Sequence, residues 1–258
     1  MSSKTRRDFL YLGVALSATL LDRPFATAQE IAGTAGTPHA PAPTAPENPG
    51  AVVNPNLTRV PTPPGQIPPL SWERDHPARI PWSNHLIGEV TKALPQLEPA
   101  KDIEEFYPTY TKVADKMKVA MWAEIIVLIA FYESAWEPCA RYHEVGLGND
   151  SVTHQPVYSE GLLQLSYQDM DVYENLPFDW EKDKSLALTD CSKTILDPFK
   201  NLSAGVRILA TQVQLYGKIV LRNHFYWSTL QDPATGKHSR VERMKLIAAK
   251  WAGTVASN

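Results

Sequence analysis

Fourteen consecutive residues, Val119-Ala-Met-Trp-Ala-Glu-Ile-Ile-Val-Leu-Ile-Ala-Phe-Tyr132, are apolar except at Glu124. A helix apolar on nearly every side persists in water only when other elements surround it, so this segment belongs at the centre of a core. It is too short to span a bilayer, which takes roughly 20 apolar residues, and polar residues follow at once. Glu133-Ser134-Ala135-Trp136-Glu137-Pro138 comes next. Pro138 disfavours helical geometry in the residue before it, which predicts a helix end near Trp136.

Glu133 thereby falls in the last turn of a buried helix. Two effects raise the pKa of a carboxyl there: desolvation by Phe131, Tyr132 and Trp136, and the negative end of the helix dipole. A carboxyl that keeps its proton near neutral pH suits general-acid work at a glycosidic oxygen. Glu124 lies nine residues earlier, about half a turn out of phase at ~100° per residue, so the two carboxylates point to opposite sides of the helix.

The N-terminus carries a different signal. Lys4-Thr5-Arg6-Arg7-Asp8-Phe9-Leu10 precedes an apolar stretch to Leu21 and then Ala26-Thr27-Ala28. Basic region, short apolar region and small-residue cleavage site, in that order, predict an export signal over residues 1–28. The adjacent Arg6 and Arg7 resemble a twin-arginine signal, which implies delivery to the periplasm or beyond. Membrane contact is then expected only through that segment before cleavage.

Residues 29–69 hold 11 of the chain's 22 prolines and little apolar periodicity. Such a stretch cannot offset its own conformational entropy, and it is expected to be a disordered linker. Residues 70–258 suffice for one domain with a core. Helical patterns run over Asp102–Tyr107, Thr111–Trp136, Asn201–Tyr216 and Val241–Trp251, with the best strand candidate around Tyr158–Leu165. The expected fold is mainly α with a small β-hairpin.

Cleavage after Ala28 leaves 21 basic and 26 acidic residues, a net charge of −5. That excludes the basic field of a nucleic-acid binder. His143, His154, His224 and His238 show no ligand pairing, so no metal and no cofactor is expected. Cys139 and Cys191, bound for an oxidising compartment, are candidates for an intrachain disulfide closing a loop of about 50 residues. Cys139 with His143 as a nucleophilic pair rests on sequence proximity alone, which is not how such pairs are recognised.

Three motifs in order resemble the soluble lytic transglycosylase domain of the lysozyme-like superfamily. They are Glu133-Ser134 at the end of the apolar helix, Ser159-Glu160-Gly161-Leu162-Leu163-Gln164-Leu165, and Asp197-Pro198-Phe199-Lys200-Asn201-Leu202-Ser203-Ala204-Gly205. The family's fourth element, Tyr-Asn before a Gly-rich turn, is absent in that form, and His224-Phe225-Tyr226-Trp227 stands in its place.

The resemblance implies a lysozyme-like domain that acts on peptidoglycan glycan strands. It implies cleavage of the β-1,4 bond between N-acetylmuramic acid and N-acetylglucosamine, with Glu133 as both acid and base and a 1,6-anhydro product. One carboxylate suffices because the attacking hydroxyl belongs to the same sugar. By transfer, Ser134 orients the catalytic segment, while Ser159, Gly161, Leu163 and Gln164 line the sugar cleft. Tyr226 and Trp227 are candidates to stack on sugar rings, and Tyr226 also to bond Glu133. Asp197 and Asn201 are expected to cap the helix that follows them. Two alternatives remain open: a hydrolase using Glu160 or Asp150 as second carboxylate, and a wall-binding protein without turnover.

Overall fold

A computed structural model describes residues 66–221, 226–231 and 240–253. The expected export signal, almost all of the proline-rich segment, and His224, Phe225 and His238 lie outside the described residues. Those described form a mainly helical domain with one two-stranded antiparallel sheet.

Helix α4 (Asp115–Ser134) runs through the centre, and every residue from Val119 to Ala130 is buried. Helix α1 (Ser71–Asp75) abuts it, and Glu124 accepts hydrogen bonds from the Ser71 backbone N–H at 2.9 Å and from the Ser71 hydroxyl. The anomalous carboxylate of the apolar run is thus a buried acceptor that fastens the first helix. Helix α4 ends two residues before the expected Trp136, because Ala135 and Trp136 adopt left-handed φ values of 52° and 65°. The chain reverses there, and the Trp136 indole N–H donates back to the Val127 carbonyl at 2.8 Å.

Helix α2 (Ile80–Leu97) was not anticipated, since Pro81, Gly88 and Pro95 interrupt its pattern. Pro81 lies in the first turn, where its missing N–H is no loss, and Pro95 lies in the last. Leu86, Val90, Ala93 and Leu97 nonetheless form a helical stripe buried against α4 and α7. After α3 (Ile103–Phe106) and α4, the chain makes strands β1 (Arg141–His143) and β2 (Tyr158–Glu160). The register pairs Arg141 with Glu160, Tyr142 with Ser159 and His143 with Tyr158. Strand β2 falls at the start of the expected strand segment; its partner went unrecognised, being only three residues long.

Two short helices follow, α5 (Asp169–Val172) and α6 (Trp180–Asp183), and then α7 (Pro198–Tyr216) and α8 (Arg240–Ala252). A disulfide joins Cys139 to Cys191 across 52 residues, with Cα atoms 5.5 Å apart. It ties the segment leaving α4 to the approach to α7; by loop closure such a bond contributes about 2–4 kcal/mol.

Asp197 caps α7, accepting from the Phe199 and Lys200 backbone N–H groups at 2.9 and 3.0 Å. Asn201 has a different task from the capping expected of it. Fully buried, it accepts from Leu163 N–H at 2.9 Å and donates to the carbonyls of Ile195 (2.9 Å) and Glu160 (3.2 Å). It holds the Gly161-Leu162-Leu163-Gln164 turn against α7. Gly161, at φ 80°, packs so closely on this side chain that a Cβ would collide with it.

Asn201→Ala leaves one buried N–H and two carbonyls without these partners. The expected loss is roughly 2–4 kcal/mol of folding stability, read as a drop in thermal midpoint with native secondary structure retained.

Candidate active site

Like its first turn, the last turn of α4 reaches the edge of the core. Phe131, Tyr132, Glu133 and Ser134 are all half-buried, whereas the three turns before them are closed off. Ser134 donates its hydroxyl to Ala130 O (2.9 Å) and to Leu162 O (2.8 Å), so it bonds its own helix and also docks the glycine turn on it. Glu133 receives a 2.5 Å hydrogen bond from the hydroxyl of Thr229, which lies in the 3-10 turn Ser228–Leu230. Burial pushes the Glu133 carboxyl above its ordinary pKa of 4.5. The Thr229 hydrogen bond and the Arg240 guanidinium pull it back, and the charge of Glu144 pushes it further up.

Glu144 was not singled out in the sequence. It follows β1, and its N–H donates to Val157 O at 3.0 Å, so the ladder continues one residue beyond the strand. Its carboxylate accepts from the Ser159 hydroxyl at 2.5 Å. Burial raises its pKa too, opposed by Ser159 and His143. Strand alternation was the signal that could have found it: successive side chains point to opposite faces, so Tyr142 and Glu144 share one face of the hairpin with Ser159, and Arg141 and His143 share the other with Tyr158 and Glu160.

That parity puts Glu160 and Glu144 on opposite faces. Glu160 lies on the far face, 2% exposed, with Arg141 at 3.2 Å and Lys193 at 3.6 Å. Asp150, 3% exposed, accepts from Val152, Thr153 and Gln168 backbone N–H groups and from the Ser166 hydroxyl, all at 2.9 Å. Glu160 is thus held beside two cations and Asp150 by four hydrogen bonds, structural tasks that compete with service as a second carboxylate opposite Glu133.

The other candidates divide similarly. Leu163 and Trp227 are closed in the core, the Trp227 indole donating to Leu163 O at 2.8 Å, so neither side chain is placed to touch a sugar. Gly161 serves the turn itself. Gln164, at φ 51°, braces that turn through bonds to Gly161 O (2.9 Å) and Ala140 O (3.3 Å). Tyr226 donates to Asp169 at 2.5 Å and packs edge-on to Trp227 and Tyr173. The charges of Glu133 and Asp169 both reach its hydroxyl. It is a wall between α5 and the acid rather than an open stacking platform. Ser159 acts on Glu144, as above.

Among the described residues no cluster of His, Cys, Asp or Glu could hold a metal ion, and no helix is long and apolar enough to cross a membrane. A cavity of about 1000 Å³ between α2, α5 and α7 is lined by residues such as Glu89, Lys92, Met170, Tyr173 and Arg207. Neither Glu133 nor Ser134, Glu144, Tyr226 or Thr229 borders it.

No family model matches the chain, and no curated protein matches it. Solved structures do. A wild-type form of the protein DslA (Bd0314) is 25% identical, with a TM-score of 0.58 over 71% of this chain and 96% of that one. A DslA variant with one glutamate replaced by glutamine is 26% identical, with a TM-score of 0.56 over 70% and 94%. A second such variant is 26% identical, with a TM-score of 0.54 over 69% and 93%. The glutamates replaced in the two variants lie eleven positions apart in that protein.

Two outcomes are expected from the electrostatics. Thr229→Val removes a bond that favours ionised Glu133, so the Glu133 titration moves to higher pH, measurable by carboxyl-carbon NMR. Asp169 is buried beside Asp150, and desolvation lifts it from 3.8 to about 7 against the pull of Tyr226 and Ser166. Its folded value exceeds its unfolded one, so no penalty exists below pH ~4 and stability falls as pH rises between the two values. The wild type should lose a few kcal/mol across that window relative to Asp169→Asn, read from thermal midpoints at pH 4 and pH 8.

Proposed function

We propose that the chain is an exported enzyme that cleaves peptidoglycan glycan strands at the β-1,4 bond between N-acetylmuramic acid and N-acetylglucosamine. Glu133 is the proton donor. The observation that carries this reading is Glu133 itself: a carboxyl of raised pKa, hydrogen-bonded by Thr229, where a buried helix breaks the surface. In the lytic reaction Glu133 protonates the leaving glycosidic oxygen as the bond to C1 breaks. As a carboxylate it then takes the proton from the 6-hydroxyl of the same muramyl residue, whose oxygen closes on C1. The product carries a 1,6-anhydro ring, and no water is consumed. This is the lysozyme-like, cofactor-free reading that the Glu133-Ser134, Gly-Leu-Leu-Gln and Asp-Pro motifs imply, with the periplasm or exterior as its place of work.

A second reading, hydrolysis, is favoured by Glu144. It lies on the hairpin face whose charge reaches Glu133, and its ionised form helps to keep the proton there. Glu133 and Glu144 are also eleven residues apart, the separation of the two glutamates replaced in DslA. In that route Glu144 draws the proton from a water that attacks C1, and the product is a reducing sugar.

Digestion of purified sacculi followed by muropeptide mass analysis separates the readings. Products one water lighter than reducing sugars mark the lytic route. Glu133→Gln is expected to lower activity by at least ~10³-fold under either. Glu144→Gln should stay within about tenfold of wild type in the lytic route and fall by at least ~10²-fold in the hydrolytic one. Sacculus binding by the wild type without released fragments would establish a non-catalytic wall protein instead.

A further inference from the structure

We propose that the outward ring of Tyr142 forms a sugar-stacking subsite one pyranose away from the bond that Glu133 cleaves. The inference rests on the glycan-cleaving reading and adds to it a named binding surface on the hairpin.

The argument starts from parity. Tyr142 is paired with Ser159, and the Ser159 hydroxyl bonds Glu144 on the same face. Because Glu144 N–H extends the ladder to Val157, Glu144 keeps strand parity and points the same way as Tyr142. The Ser134 hydroxyl bonds Leu162 O and Gly161 N–H bonds Ala140 O, so the base of the hairpin abuts the end of α4, and Glu144 on this face lies within charge–charge range of Glu133. The opposite face is fully committed: Arg141 lies over the Tyr158 ring at 3.9 Å, His143 stacks on the same ring at 4.9 Å, and Glu160 sits between Arg141 and Lys193.

Tyr142 is 40% exposed. It has no hydrogen-bond, ion-pair or ring partner among the described residues, whereas Tyr107, Tyr110, Tyr167 and Tyr226 all donate their hydroxyls. Two residues along a strand span about 6.8 Å, comparable with the width of one pyranose ring. A sugar chain laid along the hairpin with its scissile bond at Glu133 and Glu144 therefore carries a neighbouring ring over Tyr142. The apolar C–H face of that ring meets the aromatic face, and the phenol remains free to bond a hydroxyl or acetamide. The ligand class is a β-1,4-linked amino-sugar oligomer.

The test pairs binding with turnover. In Glu133→Gln, the dissociation constant for a soluble chito-oligosaccharide is measured by calorimetry with and without Tyr142→Ala; in the active chain, KM and kcat on solubilised glycan strands are measured for Tyr142→Ala, →Phe and →Trp. The expected result is about tenfold weaker binding and about tenfold higher KM for Tyr142→Ala with kcat nearly unchanged. Phe and Trp should restore both, and the thermal midpoint should be unmoved because the ring is exposed. Unchanged binding and KM in Tyr142→Ala, with cleavage by the parent intact, would overturn the subsite and leave the enzyme reading standing. Tyr142-dependent binding without any cleavage would support the subsite and defeat the catalytic assignment.

Discussion

The burial of α4 is the constraint on which the rest depends. Its three inner turns are surrounded by α1, α2, α8 and the turn before α8, and the apolar surface thereby removed from water is the main source of stability for the domain. Burial on all sides also dictates where chemistry can occur. A polar side chain inside the helix must be satisfied by the protein, as Glu124 is by Ser71. A polar side chain that is to reach the surface must lie where the helix leaves the core. Glu133 occupies that place, and the same surroundings that stabilise the helix desolvate its carboxyl.

Around this end, neutral hydrogen bonds hold the chain without adding charge. Asn201 clamps the glycine turn to α7, Ser134 joins that turn to α4, and the Trp227 indole takes up the Leu163 carbonyl. Thr229, in the turn Ser228–Leu230, is brought to Glu133 by the same wall. Each bond satisfies a backbone or side-chain group that would otherwise be buried unpaired, and together they position the segments around Glu133.

The hairpin shows how a two-residue period distributes function. Glu144 and Glu160 are both half-buried or buried carboxylates within one small sheet, and opposite parity gives them unrelated tasks. On one face Glu160 neutralises Arg141 and Lys193 and ties the sheet to the segment after Cys191. On the other lie Tyr142 and Glu144, the latter bonded by the Ser159 hydroxyl. A slip of one residue in register would exchange the two sets.

Periodicity and local chemistry determined a good deal. The apolar run made α4 a central helix, Pro138 placed its end within two residues, and Asp197-Pro198 marked the start of α7, because hydrophobic pattern and capping act over a few neighbouring residues. The place of Glu133 in the last turn of that helix was legible for the same reason. Helix α2 was not, since its prolines obscure a stripe that only packing against α7 reveals. Nor could sequence choose among Glu144, Glu160 and Asp150, or find Thr229, which lies 96 positions from the carboxylate it bonds. Those assignments depend on strand register and on the return of a distant segment, and contacts of that kind exist only once the tertiary structure has formed.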